Sequence, residues 1–394
     1  MHCMRILSDL LGSIYIAFCF LRQLHVGDKE QTIVFSRGAF RRDIHTFGKG
    51  TGLVEINVEW LKRFLRFGVP NGWFEQVICL RYRLQLRDAY PLTIRTLRYF
   101  AAQHSKRIVY GGVDYYEVAM FADHSFYSSG TRIDAVFHEN YAIDYVKNLN
   151  YFLYRGVKER FLFDDLYTYG APASQVLVGY TRNPLGSLQM VMPRLSSMED
   201  DVQFFERLND IDTDSFANTI LLLAFPGTEY LAPLCFTSTL LELARMGAEE
   251  NCHPIVKFKN KTSARMSIRH AGHLKHHIRW VFEGSIENLV WQAGFTIVFN
   301  SISLYEALLG PTVIIIPAYL DAQHDQNILQ ESKQTIDSLG QKMQSVLFAN
   351  SQTELSEIMS LMDGKMIKEI VRRERDLRKA LVARKFHLVE SLSC

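Results

Sequence analysis

The sequence lacks the cysteine spacing of a zinc site or a disulfide framework. Its 6 cysteines are scattered along 394 residues, and none forms a Cys-x-x-Cys pair. Scattered thiols of this kind are typical of a reducing compartment, so we predict a cytoplasmic protein. The chain also has little net charge, +2 at pH 7, which argues against a nucleic-acid partner.

Patterns that bind metals or activate serine are missing as well. Three aspartates alternate at positions 210, 212 and 214, but no apolar strand leads into them, which favours a helix cap or linker over an Asp-x-Asp metal site. Four histidines lie within residues 270–277 without a carboxylate or cysteine at ligand spacing, and cationic neighbours would repel a metal. The chain has no Gly-x-Ser-x-Gly elbow. We therefore predict no metal, no cofactor and no serine-hydrolase chemistry.

What the sequence does contain is a repeated alternation of apolar strands and helices in two halves. This order is typical of α/β proteins with parallel sheets. We predict two Rossmann-like lobes with a central cleft. The predicted bounds are 1–184 for the first lobe, 185–215 for a polar linker, 216–364 for the second lobe and 365–394 for a basic amphipathic helix.

Two segments near the ends of the sequence raise the question of membrane contact. Residues 10–21 are apolar for about a dozen positions, which is too short for a spanning helix of about 20 residues. We expect a buried or membrane-skimming helix there, with a signal peptide as the alternative. The cations of residues 365–388 fit a solvated face on a packed helix, or docking on an anionic membrane surface.

The most informative stretch is residues 285–316. It reads as a short helix, an apolar strand, a polar loop, a helix that stops at Gly310-Pro311, and a second apolar strand. Ligands of parallel sheets gather where strands end and helices begin. The loop carries hydroxyls but lacks the Gly-x-Gly-x-x-Gly and Gly-Lys-Ser/Thr patterns. A nucleotide-sugar phosphate therefore fits this loop better than a dinucleotide or ATP.

Four predicted strand ends of the second half supply polar groups to one site. Glycine permits a close approach of phosphate, lysines neutralise it, and a carboxylate accepts from ribose or base. The predicted donor-binding residues are Gly227, Thr228, Lys257, Lys259, Glu283, Asn300, Ser301, Ser303 and Glu306. Each strand end also has a purely structural alternative. Gly227-Thr228 fits a βα turn, and Lys257 with Lys259 fits a solvated edge strand. Glu283 fits a helix cap, and Ser303 with Glu306 fits a capping box.

The first half should then supply the acceptor site and a base. His138 and Glu139 directly follow an apolar strand, where an imidazole or a carboxylate can deprotonate an acceptor hydroxyl. The alternative is a helix cap ahead of Tyr141. Asp114 is a weaker candidate in an equivalent position.

Two segments of the sequence resemble those of a known family. Residues 299–308 followed by 310–314 are similar to the donor-domain segment of GT-B glycosyltransferases, in particular the Kdo, sialyl and CDP-glycerol transferases of bacterial capsule and surface-polysaccharide synthesis. Residues 178–184 are similar to their interdomain crossing. The family's His-Pro pair normally follows its strand, whereas His253-Pro254 begins one here, and Lys259 stands in the expected place.

The resemblance implies a GT-B-like, metal-independent glycosyltransferase. Its partners would be a nucleotide-sugar donor and a glycan or lipid-linked acceptor, with contact at the inner face of the membrane. A polyol-phosphate transferase or a sugar-nucleotide epimerase would use the same fold. A non-catalytic two-lobe protein that binds a glycan or a protein partner is the third alternative.

Overall fold

The structure is a computed structural model. It describes residues 2–23, 31–36, 52–68, 89–112, 131–136, 164–167, 187–189, 201–224, 233–249, 252–258, 261–299, 303–317, 343–383 and 385–387. The chain forms two compact units. Unit 1 comprises Met1–Ser196 with Lys385–Cys394, and unit 2 comprises Ser197–Arg384. The predicted linker at 185–215 straddles this boundary.

Unit 1 contains a 7-stranded sheet in the order β13-β6-β5-β4-β3-β1-β2. Neighbouring strands are parallel except β13, which pairs antiparallel with β6. From β1 the chain continues to β2 on one side, and β3 then lies on the other side of β1, as in doubly wound sheets. The strands are Gln31–Ser36 (β1), Gly52–Asn57 (β2), Ser105–Gly111 (β3), Arg132–Val136 (β4), Asp165–Tyr167 (β5), Ser187–Gln189 (β6) and Lys385–His387 (β13).

Three helices of unit 1 pack together. They are α1 (His2–Gln23), α2 (Val58–Leu65) and α3 (Pro91–His104), and α1 contacts both others. Asn57 caps α2 by accepting hydrogen bonds from the backbone N–H groups of the second and third helical residues, and α3 opens on a proline, whose fixed φ suits a first turn. Helix α1 extends well beyond the predicted apolar run at residues 10–21.

Unit 2 contains a fully parallel sheet of 6 strands in the order β12-β11-β10-β7-β8-β9. Its central strands are buried along their whole length, as expected for a parallel sheet covered on both faces. The strands are Thr219–Leu223 (β7), His253–Lys257 (β8), Arg279–Val281 (β9), Phe295–Val298 (β10), Val313–Pro317 (β11) and Val346–Ala349 (β12).

The helices of unit 2 surround one apolar core, in which Phe204, Phe236 and Trp291 are buried with the strand residues. Phe204 packs edge-on against Trp291 with ring centroids 5.1 Å apart. The helices are Asp201–Asn209 (α4), Thr213–Ala217 (α5), Pro233–Ala248 (α6), Lys261–His270 (α7), Ile286–Val290 (α8), Ser303–Leu308 (α9), Gln352–Ser360 (α10), Gly364–Arg373 (α11) and Arg375–Ala383 (α12), and Gly272–His277 is a 3₁₀ helix.

The basic C-terminal segment, predicted as one helix over 365–394, is divided between the units: residues up to Arg384 belong to unit 2, and Lys385–His387 form β13 of unit 1. The part in unit 2 forms α11 and α12, and several of its cations make contacts within the unit. The fully buried Arg378 donates to the Gly310 and Thr312 carbonyls and, at 3.1 Å, to Ser345 Oγ. Arg375 lies over the Phe204 ring at 3.7 Å. This contact pattern supports the packed-helix interpretation of the segment.

The predicted α/β class, with two Rossmann-like sheets, is confirmed. The linker predicted at 185–215 is partly helical, because Phe204, Leu208 and Phe216 anchor residues 201–209 and 213–217 in the core. Asp212 occupies the N-cap position of α5, in agreement with the helix-cap interpretation of the aspartates. The basic stretch after β8 is helical over 261–270 and buries Ala264.

Candidate functional site

The carboxyl edge of the unit 2 sheet is the candidate site. From β7 the chain runs outward to β8 and β9, then returns to place β10 on the other side of β7. Val298 of β10 is in register with Leu223 of β7. Such a reversal opens a crevice outside the carboxyl ends of the two strands, and ligands of doubly wound sheets bind there. The segments that follow these ends carry Gly227-Thr228 and Asn300-Ser301.

Lys257 brings a cation to this edge. It is the last residue of β8, in register with Leu223 on one side and Val281 on the other. Its side chain is 8% exposed, and Nζ donates to the Phe258 carbonyl at 2.9 Å. A buried ammonium is costly unless a partner of opposite polarity compensates it. The Phe258 carbonyl supplies part of this compensation, and the position of Lys257 puts its cationic side chain at the carboxyl edge of the sheet.

The backbone holds this edge in a fixed position beyond the last strand residues. Ala224 N donates to Lys257 O at 3.0 Å, and Phe258 N donates to Val281 O at 2.9 Å. The ladder thus continues for one residue past β7 and β8. A rigid edge suits a site because the donor groups need little reordering when a ligand binds.

Glu283 lies at the same edge, two residues after β9. It is exposed, and the next residue, Gly284, has a φ of 90°, a backbone conformation that glycine adopts without strain. The N-cap of the following helix is Ser285. The alternative in which Glu283 caps that helix is therefore wrong, and its carboxylate faces solvent.

Ser303 is the first residue of α9, and Glu306 lies in the first turn of that six-residue helix. Both follow β10, as predicted. The other predicted site residues lie outside the described part of the chain. These are His138, Glu139, Gly227, Thr228, Lys259, Asn300 and Ser301, and the structure describes only the strands that precede them: β4, β7, β8 and β10.

A network of charged side chains in unit 1 was not predicted. Asp134 is completely buried in β4, where its carboxylate accepts from Arg107 Nε at 2.7 Å and from Arg132 Nε at 3.0 Å. Burial raises the pKa of the Asp134 carboxyl above its ordinary value, although both arginines act to lower it. Burial and the nearby Asp134 raise the pKa of Tyr167 to about 12. The network ties β3, β4 and β5 together just ahead of the His138-Glu139 segment.

A cavity of about 720 Å³ lies at the opposite, amino edge of the unit 2 sheet. The first residues of β7, β8 and β9 line it, together with His276 and His277. Within the described ranges, no group of three or more His, Cys, Asp or Glu side chains is arranged to hold a metal ion. The cavity is separated from Lys257 by the length of the strands, so it belongs to a different part of the unit.

Comparison with known proteins gives similarity at the level of structure alone. No family model matches the sequence, and no curated protein matches it. The glycotransferase of kitacinnamycin is similar with a TM-score of 0.48 and 12% identity, over 90% of this chain and 96% of that one. The UDP-GlcNAc 2-epimerase of Methanocaldococcus jannaschii has a TM-score of 0.46 and 11% identity, over 88% and 99%. The ADP-heptose lps heptosyltransferase II of E. coli has a TM-score of 0.42 and 9% identity, over 90% and 95%.

Proposed function

We propose that the protein is a metal-independent glycosyltransferase of surface-polysaccharide synthesis. The donor is a nucleotide-activated sugar whose phosphates bind at the carboxyl edge of the unit 2 sheet. The acceptor, a glycan or a lipid-linked saccharide, binds to unit 1. One observation carries the proposal: the sheet reverses its strand order between β7 and β10, and the buried Lys257 ends the neighbouring strand.

The chemistry follows from the charge that develops on the leaving group. Glu139 or His138 takes the proton of an acceptor hydroxyl as its oxygen forms a bond to the anomeric carbon. The bond from that carbon to the phosphate oxygen breaks, and its electron pair stays on the nucleotide. Lys257 and Lys259 stabilise this negative charge, and the hydroxyls of Ser301 and Ser303 donate to it. Cationic side chains thus replace the metal ion of other transferases.

The donor site is tested by nucleotide binding. Titration calorimetry with UDP, GDP, CMP and CDP should identify one nucleotide that binds. Lys257→Met should weaken it by about 10- to 100-fold, because a hydrogen bond to a charged group contributes about 1.5–3 kcal/mol. Lys365→Met, at an exposed position of α11, is the matched control. Unchanged affinity in a folded Lys257→Met variant would remove the donor-site assignment.

A second measurement separates the alternatives. The protein is incubated with the nucleotide sugar that binds best, with and without a pool of acceptor saccharides. Nucleotide release that requires an acceptor supports the transferase. Conversion of the donor to its epimer without an acceptor would establish the epimerase instead, and binding without any conversion would establish a non-catalytic protein.

A further inference from the structure

Helix α1 directs its polar groups toward unit 1. Asp9 is buried and accepts hydrogen bonds from two backbone N–H groups of α3. Ser13 Oγ lies 2.6 Å from Thr96 Oγ1, and the Gln23 side chain pairs with the Glu55 backbone through both of its polar atoms. A surface helix usually exposes its polar face. Helix α1 instead buries these polar groups together with the apolar side chains of Ile16 and Phe20.

The outward face of α1 is almost entirely apolar. Its exposed side chains recur at three- and four-residue spacing, so they form a stripe along the helix. Ile14 is 55% exposed, Phe18 54% and Leu21 70%. The full set of exposed large apolar residues on α1 is Met4, Ile6, Leu7, Leu10, Ile14, Phe18 and Leu21. At 22 residues the helix is about 33 Å long, and a stripe of that length is a large apolar patch for a monomer surface.

The two helices that pack against α1 also expose aromatic side chains. On α2, Trp60 is 52% exposed and stacks with Arg63, whose guanidinium carbon lies 4.7 Å from the ring centroid. On α3, Tyr99 is exposed. Tryptophan and tyrosine are the residues that favour the boundary between headgroups and acyl chains, because one end is apolar and the other polar.

The charge of the same three helices is strongly positive. Their exposed cations are Arg22, Arg63 and Arg95, and Arg5, Lys62 and Arg98 are half-buried. Their acidic residues are Glu59, which is exposed, and Asp9, which is buried against α3. Cations beside an apolar stripe are attracted to the negative surface potential of anionic lipids. The complementary partner is a membrane surface rather than an acidic or neutral protein groove.

We propose that unit 1 docks on an anionic phospholipid bilayer through the outward face of α1, α2 and α3, with α1 lying in the plane of the interface. Among the described residues, α1 is the one helix that is long and apolar enough to cross a membrane by length and composition. Crossing would strip Asp9, Ser13 and Gln23 of their partners in unit 1, and a carboxylate inside a bilayer is costly. The surface-bound arrangement keeps all these hydrogen bonds. The proposed docking on the bilayer does not depend on the proposed glycosyltransferase activity.

Vesicle flotation of the full chain tests the proposal. The protein should float with vesicles of 70% phosphatidylcholine and 30% phosphatidylglycerol, and binding should fall at least 10-fold with pure phosphatidylcholine or at 0.5 M salt. Ile14→Glu with Phe18→Glu should reduce flotation at least 10-fold. Leu361→Glu, at a residue of unit 2 that is 72% exposed, is the matched control and should float like the unchanged protein.

Two further readouts distinguish other occupants of this face. Cys3 is exposed on α1, and its labelling by a water-soluble maleimide should slow on vesicle binding. Failure to float, or equal flotation of the Ile14→Glu/Phe18→Glu variant, would overturn the proposal. Resistance to extraction with alkaline carbonate would overturn it in favour of a spanning helix. A lipid-free dimer that the same variant converts to a monomer would assign the face to a second copy of the chain.

Discussion

Asp9 and Thr93 bind each other in both directions. The Asp9 carboxylate accepts from Thr93 N at 2.8 Å, and Thr93 Oγ1 donates to the Asp9 carbonyl at 2.9 Å. A residue on α1 thus satisfies the free N–H groups at the start of α3, a role that a residue preceding the helix usually fills.

Replacing Asp9 should therefore destabilise unit 1. We expect Asp9→Ala to lower the free energy of unfolding by about 1–2 kcal/mol, the usual cost of losing a helix cap. Asp9→Asn keeps one oxygen acceptor and should cost less than Asp9→Ala. Urea denaturation followed by circular dichroism gives both values. Equal stability of Asp9→Ala and the unchanged protein would show that the contact contributes nothing.

Arg378 should matter more than any neighbouring cation. Its guanidinium is fully buried and bonds the Gly310 and Thr312 carbonyls, so Arg378→Met leaves buried acceptors without donors. We expect a loss of about 1–3 kcal/mol for each buried carbonyl left unsatisfied. Lys379→Met removes a partly exposed ion pair with Asp201 and should cost less than about 1 kcal/mol. Similar urea midpoints for the two variants would contradict this assignment.

Cys252 should make the stability of unit 2 depend on alkaline pH. Burial raises its pKa to about 12, so the folded protein keeps the thiol proton after the unfolded chain has begun to lose it near pH 9. The stabilising contribution of the thiol is complete below that pH and is lost as the pH rises toward 12. Cys252→Ala has no thiol and does not lose stability in this way. The difference in unfolding free energy between the variant and the unchanged protein should therefore shift in favour of the variant by up to about 1.4 kcal/mol per pH unit above 9. Urea midpoints between pH 7.5 and 10.5 measure this difference. A difference that does not change over this range would refute the buried-thiol assignment.

Turnover should not depend on a divalent metal. We expect lysine side chains, rather than a metal ion, to neutralise the donor phosphate at the proposed site. Activity with the identified donor should therefore survive dialysis against EDTA. Complete loss that manganese or magnesium restores would identify a metal-dependent transferase.

The base prediction concerns the residues that follow β4. If Glu139 removes the acceptor proton, Glu139→Gln should reduce turnover by about 10²–10⁴-fold, the usual contribution of a general base. Donor affinity should hardly change. His138→Ala is measured in parallel, because either neighbour can serve. Near-normal turnover in both variants would move the search to Asp114, and loss of fold in both would identify a structural cap.

Helix α3 shows what sequence pattern can predict. Its bounds, Pro91–His104, follow from the sequence, because a proline opens it and its apolar residues keep helical spacing. The carboxyl edge of the unit 2 sheet was also predictable, since β7, β8 and β10 are continuous apolar runs followed by polar residues. Lys257 lies where this pattern places it.

Other features depend on contacts that sequence does not reveal. Arg378 appears as one more cation of an amphipathic helix, but its carbonyl partners lie 66 and 68 positions away, and only the packed fold brings them together. Helix α7 buries the small residues Ala264 and Ser267, and such residues produce no apolar periodicity from which a helix could be predicted. Ser285, not Glu283, occupies the N-cap position of α8, and its side chain makes no capping hydrogen bond.

Strand β13 sets the order in which the protein is completed on the ribosome. Its three residues join the edge of the first sheet beside β6, but they are made only after the whole of unit 2. Unit 2 is contiguous from Ser197 to Arg384 and has all its strands available earlier. Until residues 385–387 leave the exit tunnel, β6 presents an unpaired edge, which is a template for pairing with other chains. The sheet of unit 1, whose first strands are synthesised before unit 2, is therefore completed last. A nascent chain whose translation stops after unit 2 but before β13 is released carries a sheet with an edge that is prone to aggregation.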